Sequence, residues 1–207
     1  MVVALVLAAG CSKRMGMEKM LLPYKGTTLL NHTLRQIKAA ITSPIVVVTK
    51  KEIQPSIKDN ERISCCINLW PEVGQAESIK IGIRYIMKAF PKCKGVLIFL
   101  GDQPQIDCKA SLQVMRAVER DPNGIVICHY NGKKGHPTGF GNKWFEALLQ
   151  LEGDTGGREI IRHHQDQIVM INGSKAVVSD IDTPDDYEKL LKQENKSESF
   201  SDCPWRR

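Results

Sequence analysis

Short runs of valine, isoleucine and leucine alternate along the 207-residue chain with longer segments whose apolar residues recur every three to four positions. A run such as residues 95–100, which is apolar almost throughout, is typical of a strand buried on both faces. The alternation of such strands with helical segments indicates a sheet with helical crossovers. It therefore predicts an α/β fold, with a mostly parallel sheet covered by helices on both faces.

The positions of the predicted elements follow from this alternation. Strands are expected at 2–8, 45–49, 64–68, 95–100, 124–129, 168–171 and 176–179, and helices at 29–41, 78–90, 110–120, 142–151, 157–164 and 184–191. With 42% hydrophobic residues, the chain can form one good-sized core, so we expect one domain over residues 1–192. Residues 193–207 are polar and aperiodic, which predicts a disordered tail.

Composition argues against several classes of protein. No apolar run approaches the about 20 residues needed to span a bilayer, and the chain does not begin like a secretory signal. We therefore expect a cytoplasmic location and no membrane partner. The seven cysteines form no CxxC pair, which argues against a disulfide framework or a zinc cluster. The net charge of +6 favours an anionic ligand, but it is not clustered into the basic stripe of a nucleic-acid binder.

The loop after the first strand is the first candidate for function. In LVLAAGCSKRMGMEKMLL an apolar strand ends at glycine, and several charges follow. The glycines match neither the GxxxxGK[ST] nor the GxGxxG spacing. Gly10 would still let backbone N–H groups approach a phosphate, and Arg14 and Lys19 would add positive charge. The alternative is a solvated surface loop, and Lys13 and Glu18 are expected to be solvated in either case.

Two aspartate motifs occur where strands are predicted to end. Asp102 follows an apolar run in LIFLGDQP, and Asp180 and Asp182 alternate in VSDIDTPDDY, so they project to one side of the chain. Open sheets of this class bind ligands beyond the carboxyl ends of their strands, and Mg²⁺ prefers one or two carboxylates plus substrate phosphates. Asp102 could instead cap a turn, and Asp182 a helix. With the basic loop, the motifs favour a metal and triphosphate site.

Taken in order, these motifs resemble those of the nucleotidyltransferases of the molybdenum cofactor. LAAGCSKRMGMEK is similar to the family signature LAAGxSxRMGxxK, and GDQP, GHPTGF, GDTGGR and DIDTPDDY follow in the family's order. The resemblance covers about residues 2–191 and implies a Rossmann-like, GT-A-like nucleotidyltransferase fold. The cytidylyltransferase branch is the most similar, because Ala9 stands where the guanylyltransferase branch typically has glycine.

The resemblance implies transfer of CMP from CTP to the terminal phosphate of molybdopterin, with release of pyrophosphate. Mg²⁺ is the implied cofactor, and an implied protein partner is the apo-enzyme of a xanthine-dehydrogenase-type molybdenum hydroxylase. The attacking phosphate has a second pKa of about 6, so it is mostly ionised at neutral pH and needs no general base. Catalysis is expected to come from positioning and charge neutralisation.

The resemblance also implies roles for individual residues. The expected catalytic residues are Arg14, Lys19 and Asp102, and the expected metal ligands are Asp102 and Asp182. The nucleotide is expected to contact Leu7, Ala8, Ala9, Gly10, Arg14, Lys19, Gln75 and Ser78. The acceptor is expected to contact His136, Asp154 and Arg158. Other roles remain open for some of these residues: Ser78 could cap a helix, His136 could mark a turn, and Asp154 or Thr155 could cap the helix near Gly157.

Other functions are compatible with parts of the sequence. A nucleotidyltransferase for another phosphorylated acceptor, either a guanylyltransferase using GTP or a sugar or polyol phosphate enzyme, would have the same fold and triphosphate site. A non-catalytic molybdenum cofactor insertion factor would not need Lys19 and Asp102, and both are present. A redox enzyme is disfavoured, since the chain has no GxGxxG fingerprint.

Overall fold

A computed structural model describes residues 1–12, 14–57 and 61–201 of the chain. In these ranges the strands are β1 (Val2–Ala8), β2 (Pro23–Tyr24), β3 (Thr27–Thr28), β4 (Ile45–Thr49), β5 (Ile63–Ile67), β6 (Gly95–Leu100), β7 (Ile125–Tyr130), β8 (Lys133–Gly141) and β9 (Ile168–Asn172). The helices are α1 (Leu29–Ala40), α2 (Gln75–Ala89), α3 (Cys108–Arg120), α4 (Phe145–Leu149), α5 (Arg158–His163) and α6 (Pro184–Ser201).

Seven of the described strands form one sheet in the order β5-β4-β1-β6-β8-β7-β9. All neighbouring strands are parallel except at β8, which is antiparallel to both β6 and β7. β2 and β3 form a separate two-stranded hairpin. The predicted α/β class and the mostly parallel sheet are therefore confirmed.

Helices cover both faces of this sheet, and β1 lies in its interior, beside the central strand β6. Successive side chains of a strand point to opposite faces, so β1 places Val2, Ala4, Val6 and Ala8 in one core and Val3, Leu5 and Leu7 in the other. α1 and α3 complete the first core, whereas α2, α4 and α5 complete the second. Because β1 is buried on both sides, the loop that leaves its carboxyl end starts from a rigid base.

The sequence prediction was wrong at two strands. β8 was not predicted, because it contains Pro137 and several glycines, which are depleted in strands. The glycines allow close packing: a Cβ on Gly135 would lie 1.9 Å from the carbonyl oxygen of Val177, and one on Gly139 would lie 2.5 Å from Val118. The predicted strand at 176–179 is instead part of a short 3-10 helix, Lys175–Val178.

The last helix is longer than the sequence suggested. α6 continues to Ser201 rather than ending at residue 191, and the predicted boundary at residue 192 falls inside it. Five of the ten residues at 192–201 are lysine, glutamine or glutamate, which are good helix formers, and no proline or glycine interrupts the stretch. Residues 202–207 lie outside the described residues, so a disordered tail there stays a prediction. No helix in the described ranges is long and apolar enough to cross a bilayer.

Candidate active site

Sheet geometry brings three distant segments to one edge of the sheet. β1 and β6 are adjacent and parallel, so the loop after Ala8 and the turn at Gly101 leave the sheet side by side. The backbone N–H of Gly101 donates to the Leu7 carbonyl at 2.9 Å, and that of Ile181 donates to the Asp102 carbonyl at 3.0 Å. These hydrogen bonds hold the segments that carry Lys19, Asp102 and Asp182 next to one another at the carboxyl ends of β1 and β6.

Lys19 lies between the two aspartates. Its Nζ donates to Asp102 Oδ2 and, at 3.1 Å, to Asp182 Oδ1. Arg14 donates to the other oxygen of Asp182 at 2.8 Å. The side chains of Lys19 and Asp102 are only 9% and 13% exposed, whereas that of Arg14 is 70% exposed. The structure thus brings together four of the predicted residues, two cationic and two anionic.

Burial opposes the charges of both central groups. Burial raises the pKa of Asp102 above its ordinary value, although the charge of Lys19 acts against this shift. For Lys19 burial alone would lower the pKa, but attraction to Asp102 and Asp182 outweighs it, so the pKa is raised. Lys19 therefore stays cationic at neutral pH and compensates the buried charge of Asp102.

Asp182 does not cap α6, because its neighbours do so. Asp186 Oδ2 accepts hydrogen bonds from the backbone N–H of Thr183 at 3.0 Å and from its hydroxyl at 2.7 Å. The backbone N–H of Asp186 donates back to the Thr183 hydroxyl oxygen at 3.2 Å, which completes a capping box. The Thr183 hydroxyl also holds the pKa of Asp186 below its ordinary value. Asp182 is thereby left to bind Lys19 and Arg14.

The two aspartates fit a divalent cation. Asp102 Oδ1 is buried and has no hydrogen-bond partner within the described part of the chain. Asp102 and Asp182 converge on a single positive charge, the ammonium of Lys19. Among the described residues, no group of three or more His, Cys, Asp or Glu side chains could hold a metal. Two carboxylates completed by substrate phosphates and water are the ligand set that Mg²⁺ favours.

The predicted nucleotide-binding residues differ in whether they lie in the loop after β1, line a cleft beside it or are enclosed in the protein. Ala8 and Ala9 are buried and Gly10 is exposed where the loop begins, while Leu7 and Gln75 line an adjoining cleft of about 430 Å³. Ser78 is not among the described residues that line this cleft. Its hydroxyl accepts a hydrogen bond from Asn68 at 3.0 Å inside the protein. It does not cap α2 either, since that helix begins at Gln75.

On the predicted acceptor side, His136 and Arg158 line the same cleft, with Asp180 beside them. His136 Nδ1 lies 3.2 Å from the Ile98 carbonyl oxygen, a geometry in which the ring nitrogen donates. Burial lowers the pKa of His136, and the charge of Arg158 lowers it further, so the imidazole is neutral at neutral pH. The cleft therefore offers a neutral imidazole beside the cationic Arg158 to a ligand.

Asp154 makes a contact that the sequence did not predict. Its Oδ1 accepts a hydrogen bond at 3.1 Å from the backbone N–H of Gln75, the first residue of α2. It therefore satisfies the start of α2, not of α5, and it is not among the described residues that line the cleft. Thr155 donates to the Glu152 carbonyl at 3.0 Å and does not cap α5 either.

Glu18 was expected to be solvated, and this expectation was wrong. Its carboxylate forms an ion pair with Lys50, and both side chains are mostly buried. It also accepts a hydrogen bond at 3.3 Å from the backbone N–H of Met20, which caps the 3-10 helix Lys19–Leu21. An acidic residue just before a helical turn is a capping signal that the sequence does contain. Lys13 lies outside the described residues.

Comparison with known proteins shows which family the chain resembles. The model of the MobA-like NTP transferase domain matches residues 4–168. The purine catabolism protein PucB of Bacillus subtilis (strain 168) is 26% identical over 202 residues, covering 91% of this chain and 95% of that protein. The molybdenum cofactor cytidylyltransferase of Escherichia coli (strain K12) is 25% identical over 187 residues, covering 88% of this chain and 92% of that protein.

Solved structures agree on the fold. Rv0371c from Mycobacterium tuberculosis H37Rv has a TM-score of 0.77 and 26% identity, covering 92% of this chain and 97% of that one. Its complex with manganese has a TM-score of 0.71 and 26% identity, covering 92% and 98% of the two chains. The Rossmann-like fold is thus confirmed. The family match spans most of the chain and includes the Lys19 and Asp102 site, so the chain belongs to the MobA-like NTP transferase family and is a nucleotidyltransferase.

Proposed function

We propose that this nucleotidyltransferase transfers CMP from CTP to the terminal phosphate of molybdopterin, forming a cytosine dinucleotide cofactor and pyrophosphate. The observation that carries the proposal is the contact of Lys19 with Asp102 and Asp182 at the edge of β1 and β6. A buried cation between two carboxylates is an electrostatic site prepared for a triphosphate and its metal ion.

Each residue of the cluster has a defined task in this reaction. Asp102 and Asp182 would hold Mg²⁺, which, when bound, would neutralise phosphate charge and orient the triphosphate. Lys19 and the exposed Arg14 offset the charge of the phosphates, and Gly10 lets the backbone approach them closely. The acceptor phosphate is itself the nucleophile and is mostly ionised at neutral pH. The two carboxylates close to Lys19 are assigned to the metal ion, so no side chain of the cluster is assigned as a general base.

The adjoining cleft supports a heteroaromatic, anionic acceptor. Its walls combine apolar side chains such as Ile98 and Phe140 with the neutral ring of His136. Such a lining suits a flat ring system with a few polar edges, as in a pterin. Arg158 contributes positive charge, and three further cations, Lys133, Lys134 and Arg162, also line the cleft. We therefore assign His136 and Arg158 to the acceptor.

The choice of CTP and of a recipient enzyme rests on Ala9 and on the names of two relatives. Ala9 matches the cytidylyltransferase form of the signature, and one relative is named a molybdenum cofactor cytidylyltransferase. Another relative is named for purine catabolism, which suits a xanthine-dehydrogenase-type hydroxylase as the recipient of the product. Lys19 and Asp102 are both present and paired, which favours catalysis over a cofactor insertion factor.

Pyrophosphate release tests the proposal. The protein is incubated with Mg²⁺, molybdopterin and each of the four nucleoside triphosphates in turn, and then with CTP and a sugar or polyol phosphate. We expect release with CTP and molybdopterin only, and the Asp102→Asn variant provides the inactive control. Preference for GTP would contradict the cytidylyl assignment, and release with another acceptor alone would contradict the molybdopterin assignment.

A further inference from the structure

Two adjacent residues of the loop, Glu18 and Lys19, form ion pairs on opposite sides of β1. Lys19 contacts Asp102, which follows β6, and Glu18 contacts Lys50, which follows β4. β4 and β6 are the two neighbours of β1 in the sheet. The loop that leaves β1 is therefore tied to the sheet on both flanks, by charges of opposite sign.

The contact on the β4 side also organises the backbone of the loop. Glu18 Oε1 accepts hydrogen bonds from the Ser12 hydroxyl at 3.2 Å and from the Met20 N–H at 3.3 Å. The Ser12 oxygen in turn accepts from the backbone N–H of Lys19 at 3.3 Å. Ser12 has a φ of +48°, a left-handed conformation that needs support from its surroundings in a residue with a side chain. Glu18 therefore supports both this turn and the backbone of Lys19.

Ligand binding should affect the two contacts differently. A triphosphate competes with Asp102 for the ammonium of Lys19, so the contact on the β6 side weakens as the substrate binds. The Glu18–Lys50 pair includes neither of the proposed metal ligands. The two side chains are 24% and 17% exposed, so solvent and salt screen the pair less than a surface ion pair. It is the contact that persists while Lys19 is engaged with phosphate.

We infer that Lys50 is a positioning residue for the proposed reaction: through Glu18 it holds the backbone of Lys19 in place for the triphosphate. This inference rests on the proposed function. Lys50 itself does not contact Lys19 or either aspartate in the described hydrogen bonds, and its effect is transmitted by one carboxylate.

Equilibrium binding of CTP with Mg²⁺, without acceptor, tests the inference by calorimetry. Lys50→Met should weaken binding about tenfold, as expected for the loss of a charged, mostly buried hydrogen bond. The exposed neighbour provides a matched control, and Lys51→Met should bind within about twofold of the wild type. Lys50→Arg keeps the positive charge and should recover most of the affinity for CTP, because the ion pair with Glu18 can still form.

A double-mutant cycle then separates the pair from its surroundings. Glu18→Gln keeps an acceptor for Ser12 and Met20 but loses the charge, and should weaken binding as Lys50→Met does. The double variant should bind CTP about as tightly as the single variant with the lower affinity, because the two substitutions remove the same interaction. Thermal unfolding of every variant verifies that it is folded at the temperature of the titration.

The outcomes distinguish the two proposals. If the wild type binds CTP and Lys50→Met binds as tightly as Lys51→Met, the positioning role is wrong while the proposed function stands. Additive losses in the double variant, or no recovery with Lys50→Arg, would also overturn the positioning role. If the wild type binds no nucleoside triphosphate, the proposed function fails, and the positioning role fails with it.

Discussion

Replacing Lys19 with methionine should destabilise the protein chiefly through the group that Lys19 leaves behind. Asp102 Oδ2 contacts Lys19, and Asp102 Oδ1 has no hydrogen-bond partner in the described part of the chain. Methionine keeps much of the side-chain volume but removes the cation. The carboxylate of Asp102 then remains buried with its charge uncompensated, which is more costly than the loss of the ion pair itself.

The size of the effect follows from the environment of the two aspartates. Removing one partner of a buried ion pair costs about 3–5 kcal/mol. Asp182 adds little, because it is more exposed and keeps its contact with Arg14. Since Asp102 is not fully enclosed, the lower end applies, about 3 kcal/mol. For a domain of this size that corresponds to a melting temperature lower by about 6–12 °C.

The loss should also depend on pH. The folded-state pKa of Asp102 is already raised by burial, and without Lys19 it rises further. A carboxyl group whose folded pKa exceeds its unfolded value takes up a proton more readily when folded, so its destabilising effect grows as pH rises. The stability difference between wild type and Lys19→Met should therefore be smaller at pH 5 than at pH 8.

Denaturant and thermal unfolding measure these differences. Lys19→Arg, which keeps the charge, is the matched control, and the double variant Lys19→Met/Asp102→Asn should recover most of the lost stability. Divalent ions should raise the melting temperature of Lys19→Met more than that of the wild type, because the ammonium no longer competes with them. A single variant as stable as the wild type, or a double variant as unstable as the single one, would refute the reasoning.

Three further predictions concern activity, selectivity and pH. Asp102→Ala and Lys19→Ala should each lower the rate of pyrophosphate release about a hundredfold while circular dichroism stays native, and near-normal turnover would contradict the proposed site. Ala9→Gly should shift preference from CTP towards GTP in a competition assay, and unchanged selectivity would remove Ala9 as the discriminating residue. Burial lowers the pKa of His136 in the folded protein below its unfolded value of about 6.5. As pH falls below 6.5, the unfolded state therefore binds the proton more readily than the folded state, and the free energy of unfolding decreases. Denaturant unfolding at pH 7.5 and 5.5 measures this decrease in the free energy of unfolding. The decrease should be smaller in His136→Gln than in the wild type, whereas His163→Gln, at an exposed position, should show the same decrease as the wild type.

The main elements of the fold were predictable because burial leaves a direct mark on the sequence. β1, β4 and β6 are apolar runs, and their bounds agree with the prediction. Apart from α6, the predicted helices agree within three residues at each end. β8 was not predictable in this way, because its glycines are required by close contacts with other segments, which local patterns do not report.

The candidate site was predictable in its residue types but not in all of its contacts. Lys19, Asp102 and Asp182 were expected near one another, and they meet as expected. Whether Asp182 caps a helix depended on Asp186, and only the hydrogen bonds settle that question. Glu18 looked solvated because its partner, Lys50, lies 32 residues away at the end of another strand.

A small apolar cluster next to the site joins the two ends of the chain. Met15 and Leu22 pack with Ile181 and Leu190, and Lys19 bonds to Asp182 across 163 residues of sequence. A ribosome adds about 5–20 residues per second, so roughly 8–33 s separate the synthesis of these two charges. During that interval β1 can pair with β4 and β6, but the loop after β1 lacks its apolar contacts with Ile181 and Leu190 and its contact with Asp182. The candidate site therefore cannot form before both segments have been synthesised, and a chain that stops before residue 181 would carry the loop after β1 without Asp182.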